Sequence, residues 1–308
     1  TLPRLAAIVA CGVLSTACTP QTAPSASNQP AAPTSAATSV TKPSASPTPE
    51  LDLTQPGAAQ QMIRQLVEKA GTSQVLMVSI KRHEASIGVL VDKTPKTWAY
   101  RDGTIKQITS DLAAVDQASF DPFAFDLSDV GALFRAAAAT SGSDSDQELQ
   151  IVDQRRVEHS ASDLKMAVST NPETRTVFFN ADGTFVPLLD FNTSTGIAVG
   201  LSDALGAHTL ATQVSVSSAA GASVDYPATD GTTVHRVRSS RIPVIDVPKP
   251  SSDKGPTFDP RIVSPATIWR VLARTPSFGP TTVWTMTADA TSGTPRLRFT
   301  IGSTRVVT

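Results

Sequence analysis

Two stretches of the chain repeat each other, and the repeat limits what the fold can be. Phe120-Asp121-Pro122-Phe123-Ala124-Phe125 runs on through Ser128 to Arg135, and Phe258-Asp259-Pro260-Arg261-Ile262-Val263 runs on through Ser264 to Arg270. Each sets an aromatic-Asp-Pro turn ahead of a serine that can cap a helix through its side-chain oxygen. A second landmark agrees. Setting Ser223 on Ser86 runs without a gap to Ile245 on Ile108, and matches Arg238 to Arg101, Ile242 to Ile105 and His235 to Trp98. The chain therefore reads as a duplication, with homologous domains at residues 53–190 and 191–308.

The elements inside each copy follow from periodicity. Ala59, Met62, Ile63, Leu66 and Val67 fall at helical spacing and Gly71 ends the helix. Val75 to Ile80 and Ser86 to Val91 read as strands, and Thr97 to Tyr100 joins Thr104 to Ile108 across Asp102-Gly103, a hairpin signal. Beyond the repeat helix, Leu164, Met166 and Val168 alternate as a strand, and Val177 to Phe179 leads through Asp182-Gly183 into another. Ile197, Leu201 and Ala204 mark the next helix, with strands at Gln213 to Val216 and Ser223 to Tyr226. The last module carries Ile268, Val271 and Leu272 on a helix, then strands containing Val283-Trp284 and Leu297 to Ile301.

The predicted class is α+β: two homologous domains, each an antiparallel β-sheet with helices packed on one face, built from repeated helix-plus-strands modules. This order of helix, strands and Asp-Gly hairpin resembles the PepSY-type module and the tandem β-lactamase inhibitory protein fold of exported bacterial proteins. The resemblance covers Leu53 to Thr308 in element order alone and carries over no binding residue. It implies an inhibitory or regulatory binder.

The N-terminus reads as an address. Arg4 precedes the apolar run Leu5 to Val13, which is too short to span a bilayer and fits a signal peptide over residues 1–17. Leu14-Ser15-Thr16-Ala17-Cys18 resembles the lipobox of bacterial lipoproteins, in which a cysteine receives diacylglycerol and becomes the first mature residue. Leu14 stands one place further from Cys18 than that pattern prefers; Ile8-Val9-Ala10-Cys11 fits the spacing but leaves a shorter apolar region ahead of it. The expected lipidation site is Cys18. Residues 18–52 then form a tether rich in Pro, Ser, Ala and Thr that cannot bury enough apolar surface to fold. It would reach about 30 Å as a coil and about 90 Å if extended.

Composition narrows the function classes. Lys plus Arg (26) balances Asp plus Glu (27), so no global field favours nucleic acid. Both cysteines precede residue 19, leaving the folded part without thiol chemistry. The four histidines, His83, His159, His208 and His235, are scattered; no nucleophile elbow, phosphate loop or dinucleotide fingerprint is present. Asp144, Asp146 and Glu148 alternate but lack a calcium loop's spacing and read as a solvated acidic loop. No cofactor or metal is expected, and no catalytic residue. A charged insertion over Ser141 to Ser160, holding Arg155, Arg156, Glu158 and His159, is the candidate partner-contact loop. The expectation is a non-enzymatic lipoprotein of the cell envelope, anchored on the extracytoplasmic side and binding an envelope protein or peptide, with a carrier of lipid or another apolar ligand as the alternative.

Overall fold

Apolar residues at helical spacing produce the first element, α1 (Ala58–Ala70), which buries Ala59, Met62, Ile63 and Leu66 and stops where Gly71 turns left-handed at φ 73°. In the computed structural model the described residues are 50–109, 119–152, 164–228, 231–249, 255–291 and 293–307. After α1 come β1 (Val75–Ile80), β2 (Ala85–Val91), β3 (Thr94–Arg101) and β4 (Thr104–Ile108), then α2 (Val130–Ser141), β5 (Glu148–Val152), β6 (Met166–Ser169) and β7 (Val177–Phe179). The strands form one antiparallel sheet in the order β4-β3-β2-β1-β5-β6-β7.

The second half repeats this plan. It comprises α3 (Ser194–Leu205), β8 (Gln213–Ser217), β9 (Gly221–Pro227), β10 (Thr233–Arg238), β11 (Ile245–Lys249), α4 (Pro265–Arg274), β12 (Trp284–Asp289), β13 (Arg296–Ile301) and β14 (Thr304–Val307). Its sheet runs β11-β10-β9-β8-β12-β13-β14, the same order with the same sense. The protein is therefore α+β, with two similar halves. Within each half the two modules merge into one seven-stranded sheet through the pairs β1–β5 and β8–β12.

Alternation puts one side of each sheet in a core. Val78, Ile80, Ile87, Leu149, Ile151 and Met166 join the buried residues of α1 and α2 in one cluster. Val214, Val216, Val224, Met286, Ala288 and Phe299 join those of α3 and α4 in another. Both helices of a half thus lie on the same face, and side chains one residue out of phase occupy the other, open face.

The repeated aromatic-Asp-Pro motif has a definite job. Phe120 and Phe258 are buried and exchange both backbone hydrogen bonds with Val75 and Ala211, at the start of β1 and just before β8. Asp121 and Asp259 cap the following 3₁₀ turns by accepting from the N–H of Phe123 and Arg261. The serines do not cap as expected. α2 is capped by Asp129, which accepts from Ala132 N–H, while the Ser128 hydroxyl donates to Asp126; Ser264 begins α4 without a side-chain bond.

Three further expectations change. Glu148 to Val152 is the inner strand β5 with Leu149 and Ile151 fully buried, so this part of the presumed insertion belongs to the sheet and its core. The segment after Asp182-Gly183 makes only a single bridge, Phe179 to Phe185. The gap-free match between halves slips at β10: Ile87 pairs with Trp98, and its counterpart Val224 pairs with Arg236. Trp98 therefore corresponds to Arg236, and His235 to Thr97. A one-residue slip moves every side chain to the other face, so His235 stands on the open face and not at a packing position.

Candidate functional site

The β10 sequence Thr-Val-His-Arg-Val-Arg places polar groups on both faces of its sheet, and each face carries its own cluster. On the open face, Asp225 of β9 lies directly across from His235. Its carboxylate accepts from His235 Nδ1 at 2.5 Å and from Lys249 Nζ at 2.6 Å. The carboxylate is 7% exposed, while the imidazole and ammonium stand 38% and 50% in solvent. Burial alone would push Asp225 up, but the two donors and their charge overcome it and hold the carboxyl below its usual range. Because a carboxylate only accepts, the ring nitrogen that carries the proton in this bond is Nδ1.

The same level of the sheet continues through Gln213 and Asp289 to Arg296. Arg298, one step along β13, forms an ion pair with Asp289, and Arg305 stands diagonally across on β14. Burial is a minor influence on Asp289; the bonds from Arg298 and Thr291 hold it at about 2. The open face of the second sheet therefore presents Lys249, Arg296, Arg298 and Arg305 against two carboxylates that are already engaged.

On the core side, Arg236 Nη1 donates to both oxygens of Asp246 at 3.2 and 3.3 Å, and the Tyr226 hydroxyl donates to Asp246 at 3.3 Å. His208 stacks on Tyr226 with ring centroids 3.7 Å apart. Burial, then Asp246, raise the Tyr226 hydroxyl to about 12; burial, then Arg236, lower the His208 imidazole. Arg238, 1% exposed, donates to Asp203 and to the carbonyls of Pro187, Ser239 and Ile242. These groups tie α3, the Pro187 backbone and β10 together around a guanidinium buried in the fold, so they are structural.

The sequence-predicted site residues Cys18, Arg155, Arg156, Glu158 and His159 lie outside the described residues, as does the expected tether up to Pro49. His83 and His235 sit on different sheets, the first beside Leu51 and Glu50 and the second beside Asp225. The acidic trio is also divided: Asp146 accepts from Asn171, whereas Glu148 accepts from Ser79 and Gln150. Among the described residues no group of three His, Cys, Asp or Glu is placed to hold a metal ion. A hollow of about 280 Å³ beside Phe120, Phe125 and Leu164 is open to solvent and carries Asp121 and Lys165 at its lining.

Sequence reasoning missed Asp225, Lys249, Asp246 and the arginines of β13 and β14. The signal was present in β10, since a strand buried on one face does not ordinarily carry charge at consecutive positions. No protein-family model matches the chain, and no curated protein matches it.

Proposed function

We propose that the protein is an exported lipoprotein, anchored through Cys18 on the extracytoplasmic side of the cell membrane, that binds a protein or peptide partner without catalysis. The observation that carries the reading is the open face of the second sheet, where four cations stand at the surface and the two carboxylates among them are already bonded. Such a face suits an acidic partner, because rim charges steer encounter and select against like-charged surfaces. The signal-like N-terminus and the low-complexity segment after Cys18 support export and tethering. Two acyl chains suffice for stable anchoring.

The test has two arms. Incorporation of a palmitate analogue into the chain, abolished by Cys18→Ala, is the result expected of the anchor; label retained in that variant refutes it. Crosslinking in envelope preparations should yield a defined adduct that is lost with Arg296→Glu and Arg305→Glu. An adduct that persists in the variant, or none at all, rejects this face as the partner site. The apolar-carrier alternative has no comparable support: the hollow at Phe120 falls at the lower limit of the roughly 300–1,000 Å³ typical of ligand pockets and is open to water.

A further inference from the structure

We propose that the open face of the first sheet is a docking surface for a second copy of this chain, oriented by a row of alternating charge. The row lies at one end of the strands. Tyr100 pairs with Ala85, Ala85 with Ile80, and Ile80 with Leu149. The next residues outward are Arg101, Glu84, Lys81 and Glu148, side by side in the order β3, β2, β1, β5. Since their inner neighbours point into the core, these four share the open face. Read across the sheet, the charges run plus, minus, plus, minus.

Inside one protomer the row is satisfied in pairs. Arg101 Nη2 stands 2.9 Å from Glu84 and Lys81 Nζ 3.8 Å from Glu148, with all four side chains partly in solvent. An alternating row of four has a further property: a two-fold rotation reverses it. A second sheet laid face to face, about an axis parallel to the strands between β1 and β2, sets Arg101 over the partner's Glu148 and Glu84 over the partner's Lys81. The reciprocal contacts follow from symmetry, as in any isologous interface. Rotation about an axis across the strands would stack like on like. The charges therefore admit one orientation and oppose the other.

The floor behind the row allows close approach. The next open-face level consists of Ala99, Ser86, Ser79 and Gln150, and the same axis sets Ser86 over the partner's Ser79. Floor and row enclose a hollow of about 220 Å³ with Ile108 at its lip, large enough to receive the end of a partner's charged side chain. The duplication supplies an internal control. In the second half the corresponding positions are Ser239, Gly221, Ser217 and Thr285, all uncharged. The fold does not require the charges, and the row belongs to the first half alone.

The axis between β1 and β2 leaves β7 beyond the partner's edge, so six strands face six and cover about 500 Å² per protomer from the usual strand spacings. The total, about 1,000 Å², is near the least that a specific interface buries. Exposed ion pairs add little each, so the dimer should dissociate in the micromolar range and weaken with salt.

Sedimentation velocity on the full chain carrying Cys18→Ser, which prevents association through acyl chains, tests this between about 1 and 100 µM. The wild-type row is expected to give a monomer–dimer equilibrium at least roughly tenfold weaker at high salt than at low salt. Swapping one pair, Glu84→Arg with Arg101→Glu, keeps the internal ion pair but makes the row minus, plus, plus, minus, so like faces like and the dimer is lost. Swapping the other, Lys81→Glu with Glu148→Lys, gives plus, minus, minus, plus and also abolishes it. Mixing the two swapped proteins makes the rows complementary and restores a heterodimer. A wild-type chain that stays monomeric, a dimer that survives either swap, or a mixture of two folded swapped proteins that stays monomeric overturns the proposal.

Discussion

Arg238 Nε donates to Asp203 Oδ2 at 3.1 Å, joining β10 to α3, while its other nitrogens hold the carbonyls of Pro187, Ser239 and Ile242. The guanidinium is buried, whereas Asp203 is 40% exposed. Arg238→Met should therefore cost about 3 kcal/mol, because it strips donors from several acceptors at once. Asp203→Asn should cost under about 1 kcal/mol, since water reaches that carboxylate. Urea midpoints of the two variants measure the difference, and equal losses would contradict the assignment.

Gly196 and Gly131 sit in the first turns of α3 and α2, where a Cβ would come within 2.0 Å of Asp190 O and 2.3 Å of Thr54 O. Backbone cannot move aside as a side chain can. Gly196→Ala and Gly131→Ala should each destabilise by about 1–3 kcal/mol despite alanine's better helix propensity. Thermal melts would show it, and a rise in melting temperature would refute the close approach.

Two hairpins of the first sheet make the same kind of turn with different residues. Asp102-Gly103 and Asp92-Lys93 both adopt positive φ, at 52° and 71° and at 50° and 61°. Lysine tolerates that region poorly, and glycine enters it freely. Lys93→Gly should stabilise the protein by about 0.5–1 kcal/mol, whereas Gly103→Ala should destabilise it. Chemical denaturation of the pair would decide.

Stability should fall in two steps on acidification. His208 has its imidazole lowered by burial and by Arg236. Its contribution is complete above the unfolded value of about 6.5 and is lost as pH falls toward the lower folded value. Burial would raise Asp52, but bonds from Thr54 and Arg82 hold it at about 2; Asp225 is likewise lowered. Those carboxyls contribute fully above about pH 4 and lose their contribution as pH falls through their folded values. His208→Gln should flatten the stability profile just below about pH 6.5 and leave the acid step intact. Urea midpoints across pH measure both.

The fold was largely legible because apolar periodicity and Asp-Gly turns are local signals. Val75–Ile80, Thr104–Ile108 and Ala58–Ala70 could be read from their own residues. β5 was not. Its Glu-Leu-Gln-Ile-Val run is short and flanked by charge, and only pairing with β1 makes it an inner strand. The open-face groups were hidden for a related reason. The polarity of His235 was visible, but its face depends on register against β9, and a one-residue slip in matching the halves sent it to the wrong side. Asp225, His235 and Lys249 meet across three strands, and nothing in their separate neighbourhoods announces it.

The chain enters its folded body at a fixed place. Leu53 is fully buried, its N–H donates to Arg82 O at 2.7 Å, Asp52 is bonded by the Arg82 guanidinium, and His83 Nδ1 meets Leu51 O. A pull on the preceding segment is delivered to the β1–β2 turn before it reaches any helix. Arg82 and His83 lie between Lys81 and Glu84, so traction is applied beside the charged row. The contacts that fix the chain's entry and the proposed docking row therefore share one hairpin.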